Sequence, residues 1–96
     1  MAEATVEVRN PSGLHARPAA TFVKAAAGFG ATIQLTNLTR NPEKRANAKS
    51  VLGVLGLGVT QGHLVRINAD GDDADAAVST LVEMVEAGLG ESVGSE

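Results

Sequence analysis

Gly13-Leu14-His15-Ala16-Arg17-Pro18-Ala19-Ala20 is the stretch from which the rest of the chain is best read. Pro18 lacks a backbone N–H and is tolerated in a helix only in its first turn, where that donor has no intrahelical partner anyway. Strong helix formers run on from Ala19 to Ala27, with Phe22, Val23 and Ala26 at core spacing. This pattern predicts a helix from about Ala16 to Ala27, with His15 near its N-cap. Unpaired backbone N–H groups and the positive end of the helix dipole gather at that point. The environment suits an anion, above all a phosphoryl group held covalently on the imidazole. Arg17 adds a permanent charge whose fork geometry matches phosphate oxygens.

Working outward, Val6 and Val8 alternate with Glu7 and Arg9, a half-buried strand that Asn10-Pro11-Ser12-Gly13 interrupts. Gly28 is placed to follow the helix as its C′ residue. Ile33 and Leu35, alternating with Thr32, Gln34 and Thr36, predict a second strand. Asn41-Pro42-Glu43-Lys44 reads as a turn, and Arg45 to Ala48 as a short third strand. Ser50 fits the N-cap of a short helix ending near Leu55, because glycines at 53, 56, 58 and 62 limit its length. Leu64 to Ala69 is the fourth strand, with Val65 and Ile67 on one face. Asp70-Gly71-Asp72-Asp73 is expected to turn the chain and cap a last helix, its acids opposing the dipole. Ala74, Ala77, Val78, Leu81, Val82, Val85 and Leu89 form the apolar stripe of that helix, which Gly88 and Gly90 end. The order β-α-β-β-α-β-α without internal repeats favours an α+β domain, an antiparallel sheet covered by helices on one face.

Two blocks carry a family resemblance. Gly13 to Ala20 resembles the active-site signature of HPr, the histidine-containing phosphocarrier of the bacterial phosphoenolpyruvate-dependent sugar phosphotransferase system. Asn47-Ala48-Lys49-Ser50-Val51-Leu52-Gly53-Val54-Leu55-Gly56-Leu57-Gly58 resembles the regulatory-serine region of the same family, in the right order and at the right separation. The likeness runs from about Ala4 to Gly90. It implies an open-faced β-sandwich, a four-stranded antiparallel sheet with three helices on one face. The expected division is one domain over 1–90 and a frayed tail over 91–96.

The resemblance also implies roles. His15 would accept a phosphoryl group on Nδ1 from enzyme I and pass it to enzyme IIA components, with Arg17 in the catalytic centre. The N–H groups of Ala16 and Arg17 would face the phosphate, and Ser12 matches a position that contacts it in some members, although a turn serine explains it equally well. Ala20, Lys24, Lys49, Val51, Leu52 and Leu55 match the partner-docking surface. Lys24 and Lys49 read equally well as solvated side chains, and some of the apolar residues after Ser50 belong to the core. Ser50 matches the serine phosphorylated by HPr kinase/phosphorylase, while as an N-cap it contributes about 1 kcal/mol on its own account. Asn37 to Arg45 is longer and more polar than the family's usual connection. A similar insertion occurs in HPr-like domains of multidomain phosphotransfer proteins, including those serving dihydroxyacetone kinase. A carrier dedicated to dihydroxyacetone phosphorylation, or to regulation through Ser50, is therefore the alternative.

Composition narrows the field independently. The 96 residues suffice for one modest core, and with Phe22 and Phe29 the only aromatics it must be built from Val, Leu, Ile and Ala. Without cysteine there is neither a disulfide framework nor a thiolate metal site. No apolar run nears the roughly 20 residues of a membrane span, and no signal-peptide core is present, so a cytoplasmic protein without membrane insertion is expected. Residues 1–50 hold seven basic and three acidic side chains, a balance of +4, whereas 51–96 hold one basic and eight acidic, a balance of −7. The half containing His15 and Ser50 would thus favour acidic protein partners. Nucleic acid is not expected, for want of a dense basic stripe and aromatic platforms. His63 matches no motif, and a pair with His15 would lack the further ligands zinc takes, so neither metal nor cofactor is expected. The chain reads as a monomeric carrier rather than a stand-alone enzyme, since no carboxylate is evidently paired as a base for hydrolysis.

Overall fold

The computed structural model describes residues 2–89. Strands β1 (Ala2–Glu7), β2 (Thr32–Asn37), β3 (Arg45–Asn47) and β4 (Leu64–Asp70) form one sheet in the order β1-β4-β2-β3. Every neighbouring pair is antiparallel: Glu7 lies opposite Leu64, Leu35 opposite Ile67, and Gln34 opposite Asn47. Helices α1 (Ala16–Ala27), α2 (Val51–Leu55) and α3 (Ala74–Glu86) complete the β-α-β-β-α-β-α order and cover one face of the sheet.

The core is aliphatic, as the composition requires. Val6, Val8, Ile33, Leu35, Val65 and Ile67 from the sheet meet Phe22, Ala26, Leu81 and Val85 from the helices, all buried. Phe22 is fully enclosed, and truncating it to alanine would cost on the order of 3–5 kcal/mol. Leu14, inside the signature stretch, is 2% exposed and joins the same cluster. The loop carrying His15 is therefore anchored in the core by its own neighbour.

Three local expectations need amending. The β1 ladder runs from Ala2 to Glu7 rather than through Arg9, although Val8 still donates to His63 O at 2.9 Å and accepts from Gly62 N at 2.7 Å. Gly28 is the C-cap of α1 with φ −75°, an ordinary right-handed conformation, and not a left-handed C′ residue. The helix simply tightens there, with Gly28 N bonded to Ala25 O. At the end of α3 Gly88 (φ 92°) and Leu89 (φ 52°) are both left-handed; the Gly88 N–H reaches Val85 O while Leu89 N reaches Met84 O. This pair of bonds is a Schellman cap, and it folds Leu89 back into the core. Gly90 and the tail lie outside the described residues.

Asp73 is the third. It occupies the N-cap position of α3 but makes no side-chain cap bond. Its carboxylate instead accepts from Gly30 N at 2.8 Å and Ala31 N at 2.9 Å, tying the α1–β2 connection to the start of α3. The Gly30 N–H foremost, with that of Ala31, holds its pKa below the ordinary value for aspartate.

Candidate functional site

The turn before α1 is built to present one side chain. Gly13 has φ +58°, and a Cβ there would stand 2.5 Å from Val59 O and 2.6 Å from Thr60 Cα. Only glycine fits both the backbone conformation and the contact. Asn10 is fully buried and closes the turn, its Nδ2 donating to Gly13 O at 2.9 Å while its own carbonyl accepts from Gly13 N at 3.1 Å. Leu14 N then donates to Val59 O at 3.1 Å. With Gly13 and Leu14 seated on the 57–60 segment, His15 emerges at the N-cap of α1, exposed and in an extended conformation.

His15 makes no side-chain cap hydrogen bond, and the first turn of α1 contains no acid. Pro18 has no N–H to offer, and Ala19 N already bonds His15 O at 2.7 Å. The first-turn donors that remain at this helix mouth are those of Ala16 and Arg17. Arg17 is exposed two residues beyond His15, and Ser12 lies half-buried in the preceding turn. Imidazole, guanidinium and two backbone donors thus share one exposed corner, an arrangement suited to a covalently held phosphoryl group.

Ser50 stands at the opening of a different helix and is half-buried. Its Oγ accepts from Gly53 N at 3.0 Å, so its capping role is realised. Among the described residues the exposed large apolar side chains are Leu52 at 82%, Leu64 at 45%, Val51 at 39% and Leu55 at 37%. Val54, between them, is buried: the short helix splits into a core residue and an outward apolar patch. Ala20 and Lys24 are exposed along α1, which packs against α2, so the two outward faces adjoin.

Lys49 has a partner within the fold. It is half-buried, and its Nζ donates to Phe29 O at 2.7 Å. Through that bond it pins the end of α1 to the approach of α2, rather than standing as a fully solvated side chain.

A further group of residues gave no signal in the sequence. Asn37, which by pattern is only an unused glycosylation sequon, is fully buried. Its Oδ1 accepts from Thr39 N and Arg40 N, and its Nδ2 lies 3.2 Å from Leu57 O and 3.0 Å from His63 Nδ1. Thr60 N also points at His63 Nδ1, from 3.2 Å, so two N–H donors converge on that nitrogen. Nδ1 is therefore the bare acceptor, and the ring proton sits on Nε2, 3.1 Å from Thr60 Oγ1. His63 is thereby a latch on the segment that supports Gly13 and Leu14. Among the described residues no group of three or more His, Asp or Glu side chains could hold a metal, and no helix is long and apolar enough to cross a membrane.

Comparison with known proteins agrees with this geometry. Residues 2–87 match the family model described as the PTS HPr component phosphorylation site. A solved structure of HPr-C-His from Thermoanaerobacter tengcongensis is 43% identical with a TM-score of 0.88, covering 97% of this chain and 100% of that one. The phosphocarrier protein HPr of Bacillus anthracis is 35% identical with a TM-score of 0.79, covering 85% of this chain and 93% of that one. The multiphosphoryl transfer protein of Haemophilus influenzae is 45% identical over 89 residues, 93% of this chain and 18% of that protein. The chain thus spans about a fifth of the length of the curated relatives it matches. With the signature at the mouth of α1, the sheet order and the match over residues 2–87 all in agreement, the chain belongs to the HPr family of phosphotransferase-system phosphocarriers.

Proposed function

We propose that this domain takes a phosphoryl group from phospho-enzyme I onto His15 and hands it to enzyme IIA components. The open mouth of α1 carries the reading: an exposed imidazole with no internal cap bond, beside Arg17 and the N–H groups of Ala16 and Arg17. In the family the accepting atom is Nδ1. Its lone pair forms the new P–N bond as the donor's bond to phosphorus breaks and its electron pair returns to the donor. Arg17 and the two N–H groups stabilise the oxygens during and after transfer, without a carboxylate competing for them. The phosphoramidate remains reactive enough to move on. All of these groups belong to one turn, so a single copy suffices.

Docking is assigned to the outward faces of α1 and α2, through Ala20, Lys24, Val51, Leu52 and Leu55. Ser50 is assigned a regulatory role as substrate of HPr kinase/phosphorylase, where a dianion beside the apolar patch would repel acidic partners. The likeness to multiphosphoryl transfer proteins, with the long Asn37–Arg45 connection, favours a second reading in which the domain serves one dedicated phosphorylation route.

The test is incubation with phosphoenolpyruvate and enzyme I. Acid-labile phosphate is expected on His15 and absent from His15→Ala. Arg17→Lys keeps the charge but loses the fork, and should slow transfer roughly 10-fold, equivalent to about 1.4 kcal/mol. Full labelling of His15→Ala would overturn the proposal.

A further inference from the structure

The long connection between β2 and β3 does not hang away from the domain. Asn37 gathers Thr39 N and Arg40 N onto its Oδ1, and Asn41 N returns to Asn37 O at 2.9 Å, folding the loop back on itself. From this base the Arg40 guanidinium lies against Gly58, in the space a Cβ would fill, and Gly58 has φ +63°. Lys44 Nζ donates to Gly56 O, the C-cap of α2, at 3.3 Å. Both side chains are exposed. Two exposed cations thus stand at the end of α2, beside Gly56 and Gly58, just beyond the exposed Leu55. Glu43 is the loop's one carboxylate, and its backbone N–H bonds to Asn41 Oδ1.

This placement changes which cations border the apolar patch. Lys49 is half-buried, whereas Arg40 and Lys44 are exposed and add their charges on the outer rim of α2. We infer that the Asn37–Lys44 loop is a docking element for enzyme I, in which Arg40 and Lys44 meet carboxylates at the rim of the surface that receives Leu52 and Leu55. The inference rests on the proposed transfer to His15. The argument for this occupant is charge complementarity: an apolar centre flanked by two fixed cations fits a partner with an apolar groove and an acidic edge. Rim charges of this kind act on encounter and on KM, and their effect fades with salt.

The experiment is the rate of enzyme I-dependent phosphorylation of His15 against carrier concentration, at low and at physiological salt. The variants are Arg40→Gln, Lys44→Gln, the double variant, and Arg66→Gln, which removes one charge from the other face of the sheet. For the double variant KM should rise roughly fivefold at low salt, with kcat within about twofold and a weaker salt dependence. Arg66→Gln should leave KM unchanged. Arg40→Lys together with Lys44→Arg keeps both charges and should restore KM, which separates charge from any loosening of the loop. Unchanged KM and salt dependence in the double variant would overturn the inference. So would a KM effect that charge-preserving substitution fails to rescue, or a wild-type dimer that the double variant dissolves without change in KM. Absence of phosphate on wild-type His15 would instead overturn the functional reading beneath it, and the inference with it.

Discussion

Helices α1 and α2 begin in opposite ways. Ser50 fills the start of α2 with its own oxygen, accepting from Gly53 N. His15 occupies the equivalent position of α1 and gives its helix nothing, leaving Ala16 and Arg17 N–H to whatever arrives from outside. A third case lies between them: Asp73 sits at the N-cap of α3 but directs its carboxylate to Gly30 and Ala31. The lesson is that a helix start left uncapped in an otherwise well-satisfied small domain is a place where stability has been given up. In this chain it coincides with the one imidazole that faces solvent at a helix mouth.

The contrast is broken most severely by altering what holds the open end in place. Gly13→Ala forces a left-handed alanine and drives a methyl into the backbone of Val59 and Thr60. It should destabilise the domain by about 2–4 kcal/mol in denaturant titration and slow phosphorylation of His15. A change below about 0.5 kcal/mol would mean that the turn relaxes freely and is no fixed platform. The two helix starts should then respond in opposite directions to substitution. Ser50→Ala should cost about 1 kcal/mol, whereas His15→Ser should add about 0.5–1 kcal/mol while abolishing phosphate acceptance. Melting temperatures of both variants check this. A His15→Ser protein no more stable than wild type would show that the α1 terminus is already satisfied.

The smallest effect is expected at α3, and it depends on pH. The folded state depresses the Asp73 pKa below the ordinary aspartate value of 3.8, so the carboxylate contributes stability above that value and loses it as pH falls through the lower folded one. The stability gap between wild type and Asp73→Asn should be fully open at neutral pH and close in acid. A gap independent of pH would remove ionisation of Asp73 from the account.

Much of this was legible in the chain because it is written in local rules. Pro18 marks the first turn of α1, Ser50 is a cap by chemistry, and the alternation around Ile33, Leu35, Val65 and Ile67 names the buried face of the sheet. What escaped depends on contacts distant in sequence. Asp73 reads as a cap until Gly30 and Ala31, more than 40 residues earlier, are folded against it. Lys49 reads as a surface charge until Phe29 O is brought beside it. Asn37 and His63 read as a sequon and a bystander, yet together with Thr60 they fasten the segment on which the His15 turn rests. No periodicity or motif encodes such pairings, because each needs the sheet order to exist first.

The central claim is that the open start of α1 receives the phosphoryl group. Its most direct test is the amide spectrum of the isotope-labelled protein before and after phosphorylation by phosphoenolpyruvate and enzyme I. New charge-assisted hydrogen bonds should shift the Ala16 and Arg17 N–H resonances strongly, while that of Gly53, already bonded to Ser50 Oγ, stays where it is. Phosphate on His15 with Ala16 and Arg17 unmoved, or with Gly53 shifted instead, would contradict the account.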